Sequence, residues 1–229
     1  MKLAIIPARG GSKRIPRKNI KTFCGKPMIA WSLQAAQDSG VFDRIVVSTD
    51  DPEIAAVALE YGADVPFLRP SDLSDDHTST SPVVVHAIEW HQKHGFDPKQ
   101  VCCIYATAPF VQGSDIQEGA AILEHSGADF VFSVTSFAFP IQRAIKLRAD
   151  GRMEMFDPSK FETRSQDLPE AYHDAGQFYW GTQTAWLSGA PIFGPGSAPV
   201  LLPRYRVQDI DTPEDWQQAE ALMRALEHR

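Results

Sequence analysis

Four clusters in this 229-residue chain gather side chains able to do chemistry. The densest is IIPARGGSKRIPRKN, Ile5 to Asn19. Six cations (Arg9, Lys13, Arg14, Arg17, Lys18, Lys21) and no acid lie between Arg9 and Lys21, in a chain of formal net charge -7. Gly10 and Gly11 permit close backbone approach and unusual dihedrals. Backbone amides and cations together meet anionic oxygens, so the loop suits a polyphosphate. A solvated basic loop is the plain alternative, but solubility alone does not explain a strand end followed by Gly-Gly-Ser and lysines. The loop is neither G-x-x-x-x-G-K-[ST] nor G-x-G-x-x-G. That directs the reading away from Walker-type NTPases and dinucleotide dehydrogenases, and towards nucleotidyl transfer.

The second cluster is VQDIDTP, Val207 to Pro213. On a strand, residues i and i+2 share a side, so Asp209 and Asp211 face together while Ile210 points inward. Paired carboxylates repel unless a cation lies between them, and Mg2+ prefers carboxylate and phosphate oxygens. The pair reads as Mg2+ ligands; an acid at a helix start would explain Asp211 but not Asp209. The third cluster, Thr78-Ser79-Thr80-Ser81 after Asp75-Asp76, offers hydroxyls to a ribose or phosphate, with helix capping as the alternative. The fourth is RSQDLP, Arg164 to Pro169, with Tyr172-His173-Asp174. Arg164 suits a bidentate grip on a carboxylate, and Gln166 and His173 suit hydroxyls; the plainer reading is a polar loop with one structural histidine. Without a G-x-S-x-G elbow, a Ser/His/Asp triad is not supported. His77, His86, His91 and His94 lack metal-ligand spacing and read as surface or helix-face residues.

These clusters need elements to position them. Leu3 to Ile6, Arg44 to Asp50, Asp64 to Pro70, Val101 to Ala106, Phe130 to Val134 and Tyr172 to Trp180 read as strands, with short ones at Val200 to Leu202 and Arg204 to Val207. Helices are predicted over Met28 to Ala36, from Pro52 to about Tyr61, over Val83 to His94 and Ser114 to His125, and after Thr212-Pro213. Alternating strands and helices predict an α/β fold, a parallel sheet with covering helices. Ligands of such sheets collect beyond the carboxyl ends of the strands, where Arg9, Ser12 and Lys13 fall. From about 137 to 170 the rhythm breaks into a weakly alternating excursion with no long helix, expected to form a dimer contact and to cap the site; a plain surface excursion is the alternative.

The length suits one domain, 1–229. A net charge of -7 argues against general nucleic-acid or membrane binding. No apolar run approaches the roughly 20 residues that span a bilayer, and the start shows no signal-peptide pattern. Three cysteines, two of them the adjacent Cys102 and Cys103, predict reduced thiols in a cytoplasmic protein.

Taken together, IPARGGSKRIPRKN (Ile6 to Asn19), FDRIVVSTD (Phe42 to Asp50), Arg69-Pro70, DHTST (Asp76 to Thr80) and Asp209-Ile210-Asp211-Thr212 resemble, in place and order, the sugar-acid cytidylyltransferases of the CMP-sialic acid synthetase type. The resemblance spans nearly the whole chain. YATAPF (Tyr105 to Phe110), RSQDLP and YHDAG (Tyr172 to Gly176) look like the branch taking pseudaminic acid. Where sialic acid synthetases show Gln-Pro-Thr-Ser-Pro, this chain has Tyr105 in place of the sugar-contacting Gln, and His173 stands where that branch tends to have Arg. The resemblance implies a Rossmann-like mixed, mostly parallel sheet, a homodimer formed by the excursion, and Mg2+ dependence. It implies that Ala8, Arg9, Gly10, Ser12, Lys13, Lys18 and Asn19 surround the CTP triphosphate, and that Arg69, Thr78 and Thr80 sit near cytosine and ribose. Asp209 and Asp211 would hold the metal. Tyr105, Arg143, Arg164, Gln166, His173 and Tyr179 would meet the sugar. A synthetase for N-acetylneuraminate, legionaminate or Kdo, or a non-catalytic nucleotide-binding module, are the alternatives.

Overall fold

The structure, a computed structural model, describes residues 1–75 and 78–227. Asp76 and His77, both part of the readings above, lie outside the described residues. Its centre is a six-stranded sheet. In chain order the sheet takes β1 (Lys2–Pro7), β2 (Arg44–Ser48), β3 (Gln100–Ile104) and β4 (Phe130–Ser136). A hairpin outside it, β5 (Ile145–Leu147) and β6 (Met153–Met155), precedes the long β7 (Tyr172–Thr182) and the edge strand β8 (Ser197–Leu201). The spatial order is β8-β4-β7-β3-β1-β2. β1 runs parallel to β2 and β3, and β8 parallel to β4, while β7 is antiparallel to both its neighbours.

Alternation explains the layers. In β1, Ala4 and Ile6 face one core with Ile29, Leu33, Ile54, Ile116 and Trp180; Leu3 and Ile5 face another with Val84, Ile88, Tyr179 and Trp186. The first core is covered by α1 (Met28–Ser39), α2 (Pro52–Glu60) and α4 (Gly113–Ser126), the second by α3 (Thr80–Lys93) and α5 (Gln183–Ser188). Buried apolar residues on both faces are what a largely parallel sheet demands. Gly40 stops α1 in the left-handed region at φ 63°. Asp51 caps α2, accepting from the Glu53 and Ile54 amides.

A third core joins distant parts of the chain. The C-terminal helix α6 (Pro213–Glu227) packs Trp216, Ala219 and Met223 with Phe23, Met28 and Phe110, together with Ile15 of the basic loop and Ile210 of the acidic segment. Thr212 and Asp215 form a reciprocal cap at its start: the Asp215 amide donates to Thr212 Oγ1 at 3.2 Å, and the Thr212 amide to Asp215 Oδ2 at 2.7 Å.

Three expected strands differ. Asp64 to Pro70 makes only isolated parallel bridges, Val46 to Asp64 and Thr49 to Leu68, since Pro66 and Pro70 have no N–H to extend a ladder. Arg204–Arg206 is a turn of 3-10 helix. Val207 to Asp211 is irregular rather than strand: β8 is an edge strand ending at Leu201, and the backbone beyond it bonds to side chains instead. Gln177 Nε2 donates to the Arg206 carbonyl at 2.6 Å, and Asp215 Oδ2 accepts from the Asp211 amide at 3.1 Å. Ile210 is nonetheless buried, as expected.

Candidate active site

The carboxyl ends of β1 and β3 open into a cleft of about 300 Å³. Arg9, Ser12, Lys13, Lys18 and Asn19 line it from the basic loop, Arg69, Thr78 and Thr80 from the stretch leading into α3, Tyr105 from the end of β3, and Asp211 from the far end of the chain. Ala8 lies buried behind them, its amide donating to the Ser48 carbonyl at 2.9 Å.

The loop is held from inside. Asn19, only 7% exposed, donates from Nδ2 to the Arg9 carbonyl at 2.9 Å. The Gly10 amide donates to Asp50 Oδ1 at 3.0 Å, and a Cβ at Gly10 would meet Asp51 Oδ2 at 2.6 Å. Close approach therefore requires glycine at position 10, whereas Gly11 faces open space and neither residue has positive φ. The left-handed residue is Arg17, at φ 58°. Arg17 also leaves the cationic cluster: its guanidinium bonds Asp51 and Glu53 at the start of α2, and the Asp51 carboxylate raises its pKa further. Charge alone groups Arg17 with the other loop cations, and packing separates it from them.

Two loop cations cross to the acidic segment. Lys18 Nζ donates to the Ile210 carbonyl at 2.8 Å and to Asp211 Oδ1 at 3.3 Å, and Arg14 Nη2 lies 2.9 Å from Asp211 Oδ2. Asp209 lies outside the cleft lining. Its carboxyl pKa is raised, first by desolvation and then by the charge of Asp211, with Lys18 opposing. Asp211 at the cleft, with Asp209 near enough to feel its charge, offers carboxylate oxygens of the kind Mg2+ takes beside substrate phosphates, and Lys18 and Arg14 already hold Asp211. Among the described residues no group of three or more His, Cys, Asp or Glu is placed to hold a metal by protein ligands alone.

On the opposite wall Arg69 is 6% exposed, its Nε donating to Ser74 Oγ at 3.2 Å. Burial lowers its pKa, with Asp50 opposing. Its Nη2, 3.7 Å from Asp50 Oδ1, makes no hydrogen bond among the described residues. A buried guanidinium donor at a cleft wall calls for a ligand acceptor. Arg9 Nη1 donates to the Asp75 carbonyl at 2.7 Å, tying the basic loop to this wall, and Thr78 Oγ1 donates to Asp75 Oδ1 at 2.7 Å. Thr80 Oγ1 lies 3.1 Å from Tyr105 Oη.

The remaining predicted sugar contacts lie elsewhere. Tyr179 is buried below Tyr105 and donates to the Asp174 carboxylate; burial pushes its pKa up. His173 Nδ1 sits 2.8 Å from the Asp174 carbonyl, with its ring edge-on to Phe137 at 4.8 Å. Arg143 donates to Ser165 Oγ at 3.4 Å, and Arg164 Nε to Asp167 Oδ2 at 2.8 Å, both within the excursion. Gln166 lines a separate cavity of about 200 Å³ with Phe137, Phe139 and Leu168. Sequence reasoning missed Asp50, Asp75, Ser32 and Gln177. Ser32, fully buried, donates to the Tyr105 carbonyl at 2.7 Å, and the Gln177 carbonyl accepts the Tyr105 amide at 2.9 Å. The polar run Ser48-Thr49-Asp50 at the end of a buried strand was the available signal for Asp50; nothing local marked the others.

The structure is thus an α/β protein with a mostly parallel sheet, whose cationic loop at the strand ends faces Asp211 from the far end of the chain. The family model for cytidylyltransferase matches residues 3–185. Pseudaminic acid cytidylyltransferase of Campylobacter jejuni subsp. jejuni serotype O:23/36 (strain 81-176) is 50% identical over 220 residues, 96% of this chain and 95% of that protein. CMP-N,N'-diacetyllegionaminic acid synthase of Legionella pneumophila subsp. pneumophila (strain Philadelphia 1) is 32% identical, over 96% of this chain and 95% of that protein. A solved CMP:2-keto-3-deoxy-manno-octonic acid synthetase complexed with CTP shares the fold, with TM-score 0.69, 18% identity and 98% of each chain covered. The chain belongs to the cytidylyltransferase family and is a CTP-dependent nucleotidyltransferase.

Proposed function

We propose that the protein transfers CMP from CTP to the anomeric hydroxyl of a nonulosonic acid, pseudaminic acid. The anomeric oxygen forms a bond to the α-phosphorus in line, the bond from that phosphorus to the bridging oxygen breaks, pyrophosphate leaves, and the hydroxyl proton passes to solvent. The observation that carries this reading is the meeting of the basic loop and Asp211 in one cleft, in a chain 50% identical along almost its whole length to a protein named for pseudaminic acid.

Arg9 and Lys13 stabilise charge on the departing pyrophosphate. Ser12 and the backbone from Ala8 to Gly10 bring hydroxyl and amide donors to the phosphates, and Asn19 holds the loop in shape. Arg69 and Thr78 meet the nucleoside. Asp209 and Asp211 would hold Mg2+, which supplies charge neutralisation at the phosphates and lowers the pKa of the attacking hydroxyl. Arg143, Arg164, Gln166 and His173, carried on and beside the excursion, recognise the sugar acid. The excursion, about 137–170, exposes Phe139, Ile145, Leu147, Phe156 and Phe161, an apolar surface that a second copy of the chain covers in a homodimer. Three free thiols, Cys24, Cys102 and Cys103, suit a cytoplasmic setting; among the described residues no helix is long and apolar enough to cross a membrane.

The test is pyrophosphate release from each common nucleoside triphosphate crossed with pseudaminic, legionaminic and N-acetylneuraminic acids and Kdo. Release with CTP and pseudaminic acid above all other pairs is expected. Equal or faster release with another keto acid would reassign the sugar, and CTP binding with no release under any pairing would leave a binding module.

A further inference from the structure

The chain between β8 and α6 has no strand pairing to hold it, yet it carries Asp209 and Asp211. Its fixed point is Arg206. The guanidinium makes a forked pair with Asp115 near the start of α4, Nη1 donating to Oδ2 at 2.6 Å and Nη2 to Oδ1 at 2.9 Å. Both side chains are nearly dry, 12% and 7% exposed. Asp115 is itself held, because its Oδ2 also accepts the Gln112 amide at 3.1 Å and closes the capping box of α4. The Arg206 carbonyl accepts from Gln177 Nε2 at 2.6 Å. Gln177 is buried, and its own carbonyl accepts the Tyr105 amide beyond the end of β3.

Charge would group Arg206 with phosphate ligands, but its place does not. It lines a second cavity, of about 350 Å³, between α1, α6 and the loop after β3, and not the cleft. Stability is not a sufficient reason for the pair either, since a buried ion pair often contributes little over apolar residues of similar volume. What the pair supplies is direction: a bidentate fork between guanidinium and carboxylate sets distance and orientation together. Only Val207, Gln208 and Asp209 separate Arg206 from Ile210. Ile210 is buried, and its carbonyl accepts from Lys18. A span this short, held at both ends, leaves Asp209 little freedom and sets how Asp211 enters the cleft.

We propose that Asp115 and Arg206 are positioning residues for the acidic segment: the forked pair, acting through the backbone at Arg206, holds Asp209 and Asp211 where together they take a divalent cation beside the CTP phosphates. Neither Asp115 nor Arg206 touches nucleotide or sugar. The inference rests on the reading of Asp209 and Asp211 as the Mg2+ ligands.

The experiment measures binding of Mn2+, a stand-in for Mg2+, to the whole protein with CTP present. Water-proton relaxation serves as the readout, because it responds far more to Mn2+ on the protein than to Mn2+ on free CTP. CTP binding in EDTA and the thermal midpoint are followed on the same preparations. Arg206→Met combined with Asp115→Asn removes both charges without leaving one buried alone, and keeps a side-chain oxygen at position 115 for the Gln112 amide. Arg206→Lys keeps the charge and loses the fork. The Mn2+ dissociation constant should rise about tenfold in the double variant, the scale on which groups behind metal ligands act. It should rise in Arg206→Lys as well, with CTP binding in EDTA unchanged in both. Mn2+ affinity untouched in both variants, whatever the thermal midpoint does, would overturn the proposal, as would a loss matched by an equal loss of metal-free CTP binding. Asp211→Ala is the separate arm. Full Mn2+ binding by that variant would remove the metal reading and the positioning role with it, whereas a loss there with none in the Arg206 variants strikes the positioning role alone.

Discussion

Asp211 is the residue on which the two halves of the site converge. It comes from the far end of the chain, yet Lys18 and Arg14 of the basic loop both reach it. Replacing it with Ala should abolish CMP-sugar formation while leaving the thermal midpoint close to that of the unsubstituted protein, since the carboxylate is half-exposed and Ile210 beside it supplies the packing. Near-normal turnover by that variant would remove Asp211 from the proposed metal site. For Lys13→Ala, loss of one electrostatic contact in the transition state should cost about 2.7–4 kcal/mol, or roughly 10² to 10³ in kcat, by the scale of oxyanion-donor removals. Arg17→Ala provides the contrast. Its guanidinium serves Asp51 and Glu53 at the start of α2, so kcat should change far less than for Lys13→Ala while thermal stability falls slightly. A drop in kcat as deep as that of Lys13→Ala would return Arg17 to the phosphate cluster.

At the level of elements, α3 carries Thr80 at the cleft end and two histidines along its packed face. His91 is fully buried, with Nδ1 2.7 Å from the Ala87 carbonyl and Nε2 unpartnered among the described residues. Burial lowers the pKa of both His91 and His86 below the ordinary 6.5. Arg44 and His94 push His91 the same way, while the Ala87 carbonyl and Asp64 oppose. The native state therefore resists a proton that the unfolded chain accepts below pH 6.5. Stability is unaffected by these groups above that value and falls as pH drops through it, by at most about 1.4 kcal/mol per pH unit for each histidine until its native pKa is reached. Denaturant unfolding between pH 7.5 and 5 should show this decline, and His91→Gln should flatten it; an equally steep decline in the variant would exclude His91 as its source. The helices and most strands were legible because apolar periodicity and Gly or Pro stops mark them locally. The Val207 to Asp211 stretch was not, because its backbone partners include side chains from other elements, Lys18 and Asp215.

Across the whole molecule, the excursion stands apart from the layered sheet. Phe139 is 83% exposed and Phe156 66%, against a sheet whose apolar side chains are almost all buried. With Phe139→Asp and Phe156→Asp together, light scattering should move the particle from twice the chain mass to once, with CTP affinity unchanged; an unchanged mass, or a monomeric parent, would count against the dimer. The cationic loop, the absence of both common phosphate motifs, the paired acids and the strand–helix alternation are properties of residue type and spacing, so they can be read along the chain and already point to nucleotidyl transfer. What the linear order could not carry is which of those groups share one cleft. Arg17 and Lys18 are neighbours in a basic run, yet one turns to α2 and the other to Asp211. Tyr105 and Tyr179 lie far apart along the chain, and their rings meet because β7 folds back beside β3. Charge and periodicity are local, but the partner that a given donor finds is set by packing, here by the third core that presses Ile15 and Ile210 together.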